Sequence, residues 1–127
     1  MYIIDNQSRQ AVYEQIIAQT ELFLLTGILK AEQPMPSVRT LSVELSVNPN
    51  TIQKAYTELD RRGLIYAVPG KGSFVSAQAR DIVAQERVRK LATVESIAQE
   101  CALAGIDKQL LYDAVDKGYD SKGGNLE

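Results

Sequence analysis

The chain has 127 residues, of which 45% are hydrophobic and 24% charged, and its formal net charge at pH 7 is −2. This length accommodates one small domain and a short appendage, but not a second large domain. The sequence has no histidine and a single cysteine, Cys101, so it cannot form an internal disulfide. It also has few of the side chains that bind zinc or that act as a nucleophile with its base. We therefore expect no enzyme activity, no metal and no cofactor.

The longest apolar stretch, residues 22–29, is interrupted by Thr26 and Gly27 and is far too short to span a bilayer. The N-terminus has no basic-then-apolar targeting signal. A single cysteine also fits a reducing compartment. We therefore expect a cytoplasmic protein with no membrane partner.

The first long helix is predicted over residues 10–26. Before it, Tyr2, Ile3 and Ile4 form a short β-prone segment that we expect to pack against the domain. Gly27 can end the helix in a left-handed conformation. The helical stripe that should face the core consists of Val12, Tyr13, Ile16, Ile17, Thr20, Phe23 and Leu24.

A short helix over residues 38–45 is predicted next, with Ser37 as its N-cap. It must end near Ser46, because Pro49 restricts the residue before it. Asn48 then supplies a second N-cap, with Pro49 at the first helical position. The result is a sharp turn between two helices.

The helix that follows has two unlike faces. One face carries apolar residues at spacings of three and four and should be buried; it consists of Ile52, Ala55, Tyr56 and Leu59. Each residue of the other face, taken alone, is better explained as part of a solvated surface. Together they form an amide-rich, hydroxylic and basic face, which consists of Asn50, Gln53, Lys54, Thr57 and Arg61.

Gly63 can terminate this helix, and a β-hairpin with a glycine-rich basic tip is predicted after it. Its strands are residues 64–68 and 73–75, and the tip between them is too short for a phosphate-binding loop. Two helices, a turn and a hairpin make a winged helix-turn-helix. Such a unit suits duplex DNA, because the major groove accepts one α-helix and amide and basic side chains can read its bases.

The C-terminal part is predicted to be helical, with a long amphipathic helix over residues 79–104, a break at Gly105 and a last helix that begins at Asp107 and ends near Gly118. Two helices of this size cannot form a stable core alone, so we interpret them as a dimerisation module. The predicted organisation is a winged helix-turn-helix domain over residues 1–76, a two-helix dimerisation module over 77–120 and a flexible tail over 121–127.

The charge distribution supports this division. Residues 30–76 carry six basic against four acidic side chains, whereas residues 77–127 carry seven against nine. The excess of positive charge in the first part has the sign expected of a DNA-binding surface, although it is small. It predicts weak non-specific affinity and reliance on a dimer that sums two half-site contacts.

Several motifs occur in the order and spacing of a known family. They are Met35-Pro36-Ser37-Val38-Arg39, Val47-Asn48-Pro49-Asn50-Thr51, Gly63-Leu64-Ile65 and Gly70-Lys71-Gly72-Ser73-Phe74-Val75, preceded by Tyr13-Glu14-Gln15-Ile16 and Gly27-Ile28-Leu29. In these motifs the chain resembles the winged-helix domain of the GntR family of bacterial transcription regulators, and its Asn-Pro-Asn-Thr turn resembles the short YtrA-type branch. The resemblance implies a repressor, often of a transporter operon, that some signal releases from DNA.

Two positions depart from the family pattern. Relatives usually have proline-glycine where this chain has Ala31-Glu32, and glycine where it has Ser46. A serine in a left-handed turn costs on the order of 1 kcal/mol. We expect the fold to be unchanged, with any difference confined to the turn.

With the resemblance added, DNA-binding residues are predicted at the N-terminal turns of the two helices, on the polar face of the second and at the tip of the hairpin. Arg39, at the position of the family's usual reader, and Lys54 are expected to contact base edges or phosphates, and Gln53 an adenine. At the tip, Gly70 permits close approach to the minor groove or its phosphates, and Lys71 supplies charge. The full set is Ser37, Arg39, Asn48, Asn50, Thr51, Gln53, Lys54, Thr57, Gly70 and Lys71.

The predicted function is a homodimeric, sequence-specific transcription regulator whose partner is a double-stranded DNA operator. Whether a small-molecule effector of unidentified chemistry also binds is left open. Two alternatives also stay open. The winged helix could be a protein-interaction module that does not bind DNA, and Arg39 could be purely structural, paired with Glu44 or Asp60.

Overall fold

A computed structural model of the chain describes residues 1–125, which form two compact units, Met1–Gln85 and the residues from Glu86 onward. The predicted fold class, mainly α with a small β-hairpin in a winged helix-turn-helix, is confirmed. The elements in chain order are α1 (Val12–Thr26), α2 (Val38–Leu45), α3 (Pro49–Arg61), β1 (Ile65–Val68), β2 (Gly72–Val75), α4 (Ala79–Arg89), α5 (Leu91–Leu103) and α6 (Lys108–Asn125).

Helix α1 forms one side of the core of the first unit. It ends as predicted at Gly27, whose φ of 83° lies in the left-handed region. Residues 2–4 form no strand, but Tyr2 is buried against this helix. Its hydroxyl lies 2.7 Å from the Thr20 hydroxyl, and its ring meets that of Phe23 edge to face at 5.1 Å between centroids. The N-terminal segment is therefore held by side-chain packing rather than by a sheet.

The turn between α2 and α3 has the predicted caps. The Ser37 hydroxyl accepts a hydrogen bond from the Thr40 backbone at 3.0 Å, and the Asn48 side chain accepts one from the Asn50 backbone at 2.8 Å. Pro49 occupies the first turn of α3. Each cap satisfies an amide that has no partner within its own helix.

Helix α3 lies at the centre of the unit, since its whole apolar face is buried. Ile52, Ala55 and Leu59 are inaccessible to solvent, and Tyr56 is 4% exposed. They join one continuous hydrophobic core with α1, α2 and the hairpin. Because the core holds one face of α3, the polar face must lie outward.

The hairpin, called the wing below (residues 64–75), pairs Tyr66 with Phe74 and is extended on one side by the segment before α2. The Met35 amide donates to the Ser73 carbonyl at 2.9 Å, and the Val75 amide donates to the Gln33 carbonyl at 2.9 Å. These backbone bonds fix the base of the wing beside the start of α2.

The first unit extends past the predicted boundary at residue 76, because the beginning of α4 belongs to its core. Ala79 is 1% exposed and Val83 is fully buried. The prediction of one long helix over residues 79–104 is wrong, since α4 ends at Arg89 and α5 begins at Leu91. At the break the Lys90 amide bonds to the Arg87 carbonyl, a tighter i−3 pairing.

The second unit consists of α5, α6 and the end of α4. Asp107 caps α6 as predicted, accepting a hydrogen bond from the Gln109 backbone at 2.8 Å. The expectation that this helix ends near Gly118 is wrong, because it continues to Asn125 and the Ser121 hydroxyl bonds to the Gly118 carbonyl at 3.0 Å. Of the predicted flexible tail, residues 121–125 are thus helical, and residues 126–127 lie outside the described residues.

Across residues 1–125, no helix combines the length and the apolar character that crossing a membrane requires.

Candidate nucleic-acid interface

The polar face of α3 is exposed to solvent from its first turn to its last. Asn50, Gln53, Lys54 and Thr57 are all solvent-exposed, whereas the opposite face is buried in the core. The structure therefore brings four of the predicted residues together on one helix face, in the orientation that the apolar periodicity predicts. An exposed helix with amide and basic side chains is chemically suited to a DNA groove.

A hydrogen bond within this face orients Gln53. Its Nε2 donates to the Thr57 hydroxyl at 3.2 Å. The amide retains its second N–H and its carbonyl oxygen, which are the donor and acceptor that pairing with an adenine edge requires. Thr57 thus holds the side chain predicted to read a base.

Lys54 leans from α3 toward α1. Its ammonium nitrogen lies 3.9 Å from the centroid of the Tyr13 ring, a cation–π geometry. Tyr13 is partly buried against the core, and Lys54 is exposed. The positive charge of the helix face is therefore placed at its α1 side.

Arg61, at the end of the same face, is engaged by Glu58. Its Nε and Nη2 groups donate to the two carboxylate oxygens at 2.5 and 2.8 Å. The hydrogen bond from Arg61 lowers the pKa of the Glu58 carboxyl. Arg61 is thus partly neutralised locally, which leaves Lys54 as the cation nearest the middle of the face.

The N-terminal turn of α2 presents Arg39 to solvent. Among the residues that the structure describes, Arg39 forms no ion pair with Glu44 or Asp60, the two partners that a structural role would use. The Ser37 hydroxyl, by contrast, both caps α2 and donates to the Thr40 hydroxyl at 2.8 Å. Arg39 therefore keeps its donors available, whereas Ser37 is already bonded within its own helix.

The N-terminal turn of α3 combines a cap with free polar groups. The Asn48 side-chain oxygen is occupied by the Asn50 backbone amide, which leaves the Asn48 side-chain amide as its donor. Asn50 is exposed, and Thr51 is half-buried beside it. This turn also carries the partial positive charge of a helix N-terminus, which favours a phosphate.

The tip of the wing carries Gly70 and Lys71, both exposed. Gly70 has a φ of 78°, a left-handed conformation that glycine adopts without strain, and an added Cβ there would meet no described atom within 4 Å. At the base of the wing the Tyr66 hydroxyl bonds to the Glu32 carboxylate, which raises the pKa of Tyr66. The basic tip is thus presented on an anchored hairpin.

Two grooves flank the polar face of α3. The larger, of about 740 Å³, lies between α3 and α1, and the smaller, of about 390 Å³, lies between α3 and the wing. Gln53 and Thr57 line both grooves, while Asn50 and Lys54 line only the larger one. The structure does not bring Arg39, Gly70 or Lys71 into either groove.

The contact between Tyr13 and Lys54 is a feature that sequence reasoning does not reveal. The α1 stripe predicts only a core position for Tyr13. Sequence spacing reports neighbours within one helix, but it does not report which side chains of two different helices meet. No motif in the sequence marks this pair.

Known proteins resemble the chain over the same region and beyond it. Residues 10–75 match the family described as bacterial regulatory proteins, gntR family. Over 126 residues the chain is 33% identical to the HTH-type transcriptional repressor YtrA of Bacillus subtilis, in a match that covers 98% of this chain and 97% of that protein. A GntR family transcriptional regulator from Listeria monocytogenes matches with a TM-score of 0.72 and 30% identity, over 90% of this chain and 98% of that chain.

A solved complex with DNA is also similar. The AraR DNA-binding domain in complex with operator ORX1 matches with a TM-score of 0.52 and 28% identity, over 58% of this chain and 92% of that chain. These matches confirm the winged helix and the resemblance to the YtrA-type branch, and the relatives are transcription regulators rather than enzymes. The chain belongs to the GntR family, as a transcription regulator with a winged-helix DNA-binding domain.

Proposed function

We propose that this protein is a homodimeric repressor that recognises a two-fold symmetric operator. The observation that carries the proposal is the exposed face of α3, on which Asn50, Gln53, Lys54 and Thr57 lie together between two grooves. In each protomer this helix enters the major groove, and the two half-sites lie about 10 bp apart or a multiple of that.

Arg39 and Gln53 read bases in this proposal, and Lys54 contacts a base edge or a phosphate. Asn48, Asn50 and Thr51 hold phosphates at the start of α3, and Lys71 holds one from the wing. The role of Arg39 is supported by the lack of a carboxylate partner among the described residues, because its planar set of donors then stays available for guanine or phosphate. Ser37 contributes through the cap of α2.

The apolar surface of the second unit supports dimerisation. Ten large apolar side chains are exposed within residues 86–121, and clusters of exposed apolar residues are typical of interaction surfaces. They are Val88, Leu91, Val94, Ile97, Leu103, Ile106, Leu110, Tyr112, Val115 and Tyr119. Because α5 has no buried residue in the described part of the chain, a second copy of the same surface is the cover we propose.

The proposed regulation is based on the relatives. Repression is proposed because YtrA of Bacillus subtilis, similar over nearly the full chain, is a transcriptional repressor. Control of a transporter operon, action in the cytoplasm and release by a small-molecule effector rest on the resemblance to the YtrA-type branch alone.

Selection of bound duplexes from a random DNA pool tests the DNA-binding proposal. The wild type should enrich a two-fold symmetric site, and the double variant Arg39→Ala, Gln53→Ala should lose it. The matched control is Gln78→Ala, Arg80→Ala, which removes the same side-chain types from two exposed residues that line neither groove beside α3. No enrichment by a folded wild type would favour the alternative, a protein-interaction module that does not bind DNA.

Sedimentation equilibrium tests the dimer separately. Val94→Glu places a charge on the exposed apolar surface of α5, where Val94 is 51% exposed, and should convert dimers to monomers. Gln99→Glu on the same helix is the control and should leave the dimer intact. A monomeric wild type would contradict the dimer but not the DNA-binding role.

A further inference from the structure

The contact between Tyr13 and Lys54 joins the start of α1 to the exposed face of α3. The lysine ammonium lies 3.9 Å from the centroid of the tyrosine ring. Both residues line the larger groove beside α3, together with Asn50, Gln53 and Thr57. A residue outside the helix-turn-helix therefore contacts a cation of the α3 face.

The two partners differ in how firmly they are held. Tyr13 is partly buried and packs against the hydrophobic core of the first unit. Lys54 is exposed, and a lysine has a long flexible side chain with high rotamer entropy. Because the ring is fixed and attracts the ammonium electrostatically, the tyrosine restricts the lysine and not the reverse.

The contact leaves the ammonium able to bind DNA. A lysine has three N–H donors, and a ring on one side leaves donors on the other side free for a phosphate or base oxygen. Restricting the side chain beforehand reduces the entropy that is lost when it is immobilised on DNA. The ring thus prepares Lys54 for an interaction that Tyr13 itself does not make.

We propose that Tyr13 is a positioning residue for DNA recognition, which fixes the Lys54 ammonium at the α1 side of the major-groove helix. This inference rests on the proposed DNA-binding function. It assigns to α1 a role in affinity in addition to its role in the core.

Operator binding by four variants tests the proposal, with the duplex obtained from the wild-type selection as the probe. Tyr13→Phe retains the ring and should bind like the wild type. Tyr13→Leu removes the ring, retains apolar volume and should weaken binding by about two- to tenfold. In a Lys54→Met background, Tyr13→Leu should cause no further loss, because the group that it positions is gone.

Three results would overturn the proposal while leaving the proposed DNA-binding function intact. Equal affinity of Tyr13→Leu and the wild type would show that the ring positions nothing, and additive losses would show that Tyr13 acts independently of Lys54. A loss in Tyr13→Phe as large as that in Tyr13→Leu would instead assign a direct contact to the tyrosine hydroxyl. If the folded wild type binds no duplex at all, the proposed function fails, and this inference fails with it.

A second measurement covers the case in which Tyr13→Leu is poorly folded. In the wild type, the ring should shift the NMR signals of the Lys54 ε-methylene protons upfield, both free and bound to operator. Tyr13→Phe should keep that shift. A random-coil shift in the complex would overturn the proposal without reference to any destabilised variant.

Discussion

The Tyr56 hydroxyl donates a 2.6 Å hydrogen bond to the backbone carbonyl oxygen of Pro36. Tyr56 belongs to the buried face of α3, and Pro36 directly precedes the N-cap of α2. One side chain therefore ties α3 to the segment that leads into Ser37 and Arg39. The relative placement of the two helices of the helix-turn-helix depends partly on this bond.

Tyr56→Phe should lower the free energy of unfolding by about 1 kcal/mol, because it removes one hydrogen bond and leaves the Pro36 carbonyl without its donor. Urea unfolding at neutral pH measures this change. The control is Tyr13→Phe, which removes a hydroxyl that forms no hydrogen bond within residues 1–125 and should change stability little. Equal effects of the two substitutions would show that the bond contributes nothing measurable.

The same tyrosine should make the fold sensitive to alkaline pH. Burial raises the pKa of Tyr56 above its usual value of 10.0, and burial also raises that of Tyr2. Below the usual value both phenols are neutral in the folded and unfolded chains, so their contribution is fully present. Above it they ionise only in the unfolded chain, and the free energy of unfolding should fall by up to about 1.4 kcal/mol per pH unit for each phenol.

The measurement is urea unfolding at a series of pH values from about 9 to about 11. The wild type should lose stability more steeply than Tyr56→Phe, and the double variant Tyr2→Phe, Tyr56→Phe should lose it least. If the free energy of unfolding fell equally with pH in all three proteins, the alkaline loss of stability could not be due to the Tyr2 and Tyr56 phenols.

Ser46→Gly should stabilise the protein. Ser46 has a φ of 53° and is exposed, so it carries the strain of a left-handed turn, and within residues 1–125 its hydroxyl forms no hydrogen bond that glycine would remove. The gain is up to about 1 kcal/mol, since relief of strain exceeds the added entropy of the unfolded chain. Thermal unfolding measures it. Glu44→Gly, at an exposed helical position in the last turn of α2, is the control and should destabilise by up to about 1 kcal/mol.

Glu32 also has a left-handed backbone, but its side chain forms a hydrogen bond that a glycine would remove. Its φ is 67°, so glycine would relieve similar strain there. Its carboxylate, however, accepts the hydrogen bond of the Tyr66 hydroxyl. Glu32→Gly should therefore stabilise less than Ser46→Gly, and a larger gain would show that the bond to Tyr66 contributes nothing.

Local chemistry makes the helix-turn-helix predictable. The caps at Ser37 and Asn48 and the left-handed positions at Ser46 and Gly27 follow from side-chain hydrogen bonding, proline restriction and the departure from the family pattern. The buried and exposed faces of α3 follow from its periodicity. Positions where one short-range force dominates are therefore predictable from sequence.

Positions decided by tertiary packing are not predictable in the same way. The break at Lys90 has neither glycine nor proline, and Gly118 is a glycine that the helix simply passes through. The first unit extends to Gln85, and Val83 is fully buried in it. The local sequence around Val83 does not indicate which unit buries this side chain. In the site, the sequence predicts Lys54, but the approach of Lys54 to Tyr13 depends on how α1 crosses α3.

Lys71→Ala should weaken DNA binding without changing the sequence that is selected. Lys71 is exposed at the tip of the wing, and in the proposed complex its charge neutralises a phosphate rather than reading a base. The logarithm of the affinity should then depend less steeply on the logarithm of salt concentration, by about 0.9 for each phosphate that is no longer neutralised and about twice that for two wings. Titrations at several salt concentrations measure the slope, with Lys117→Ala, an exposed lysine of α6, as the control. A slope unchanged by Lys71→Ala would place the tip of the wing away from the DNA backbone, whereas an altered selected sequence would assign it a base contact in the minor groove.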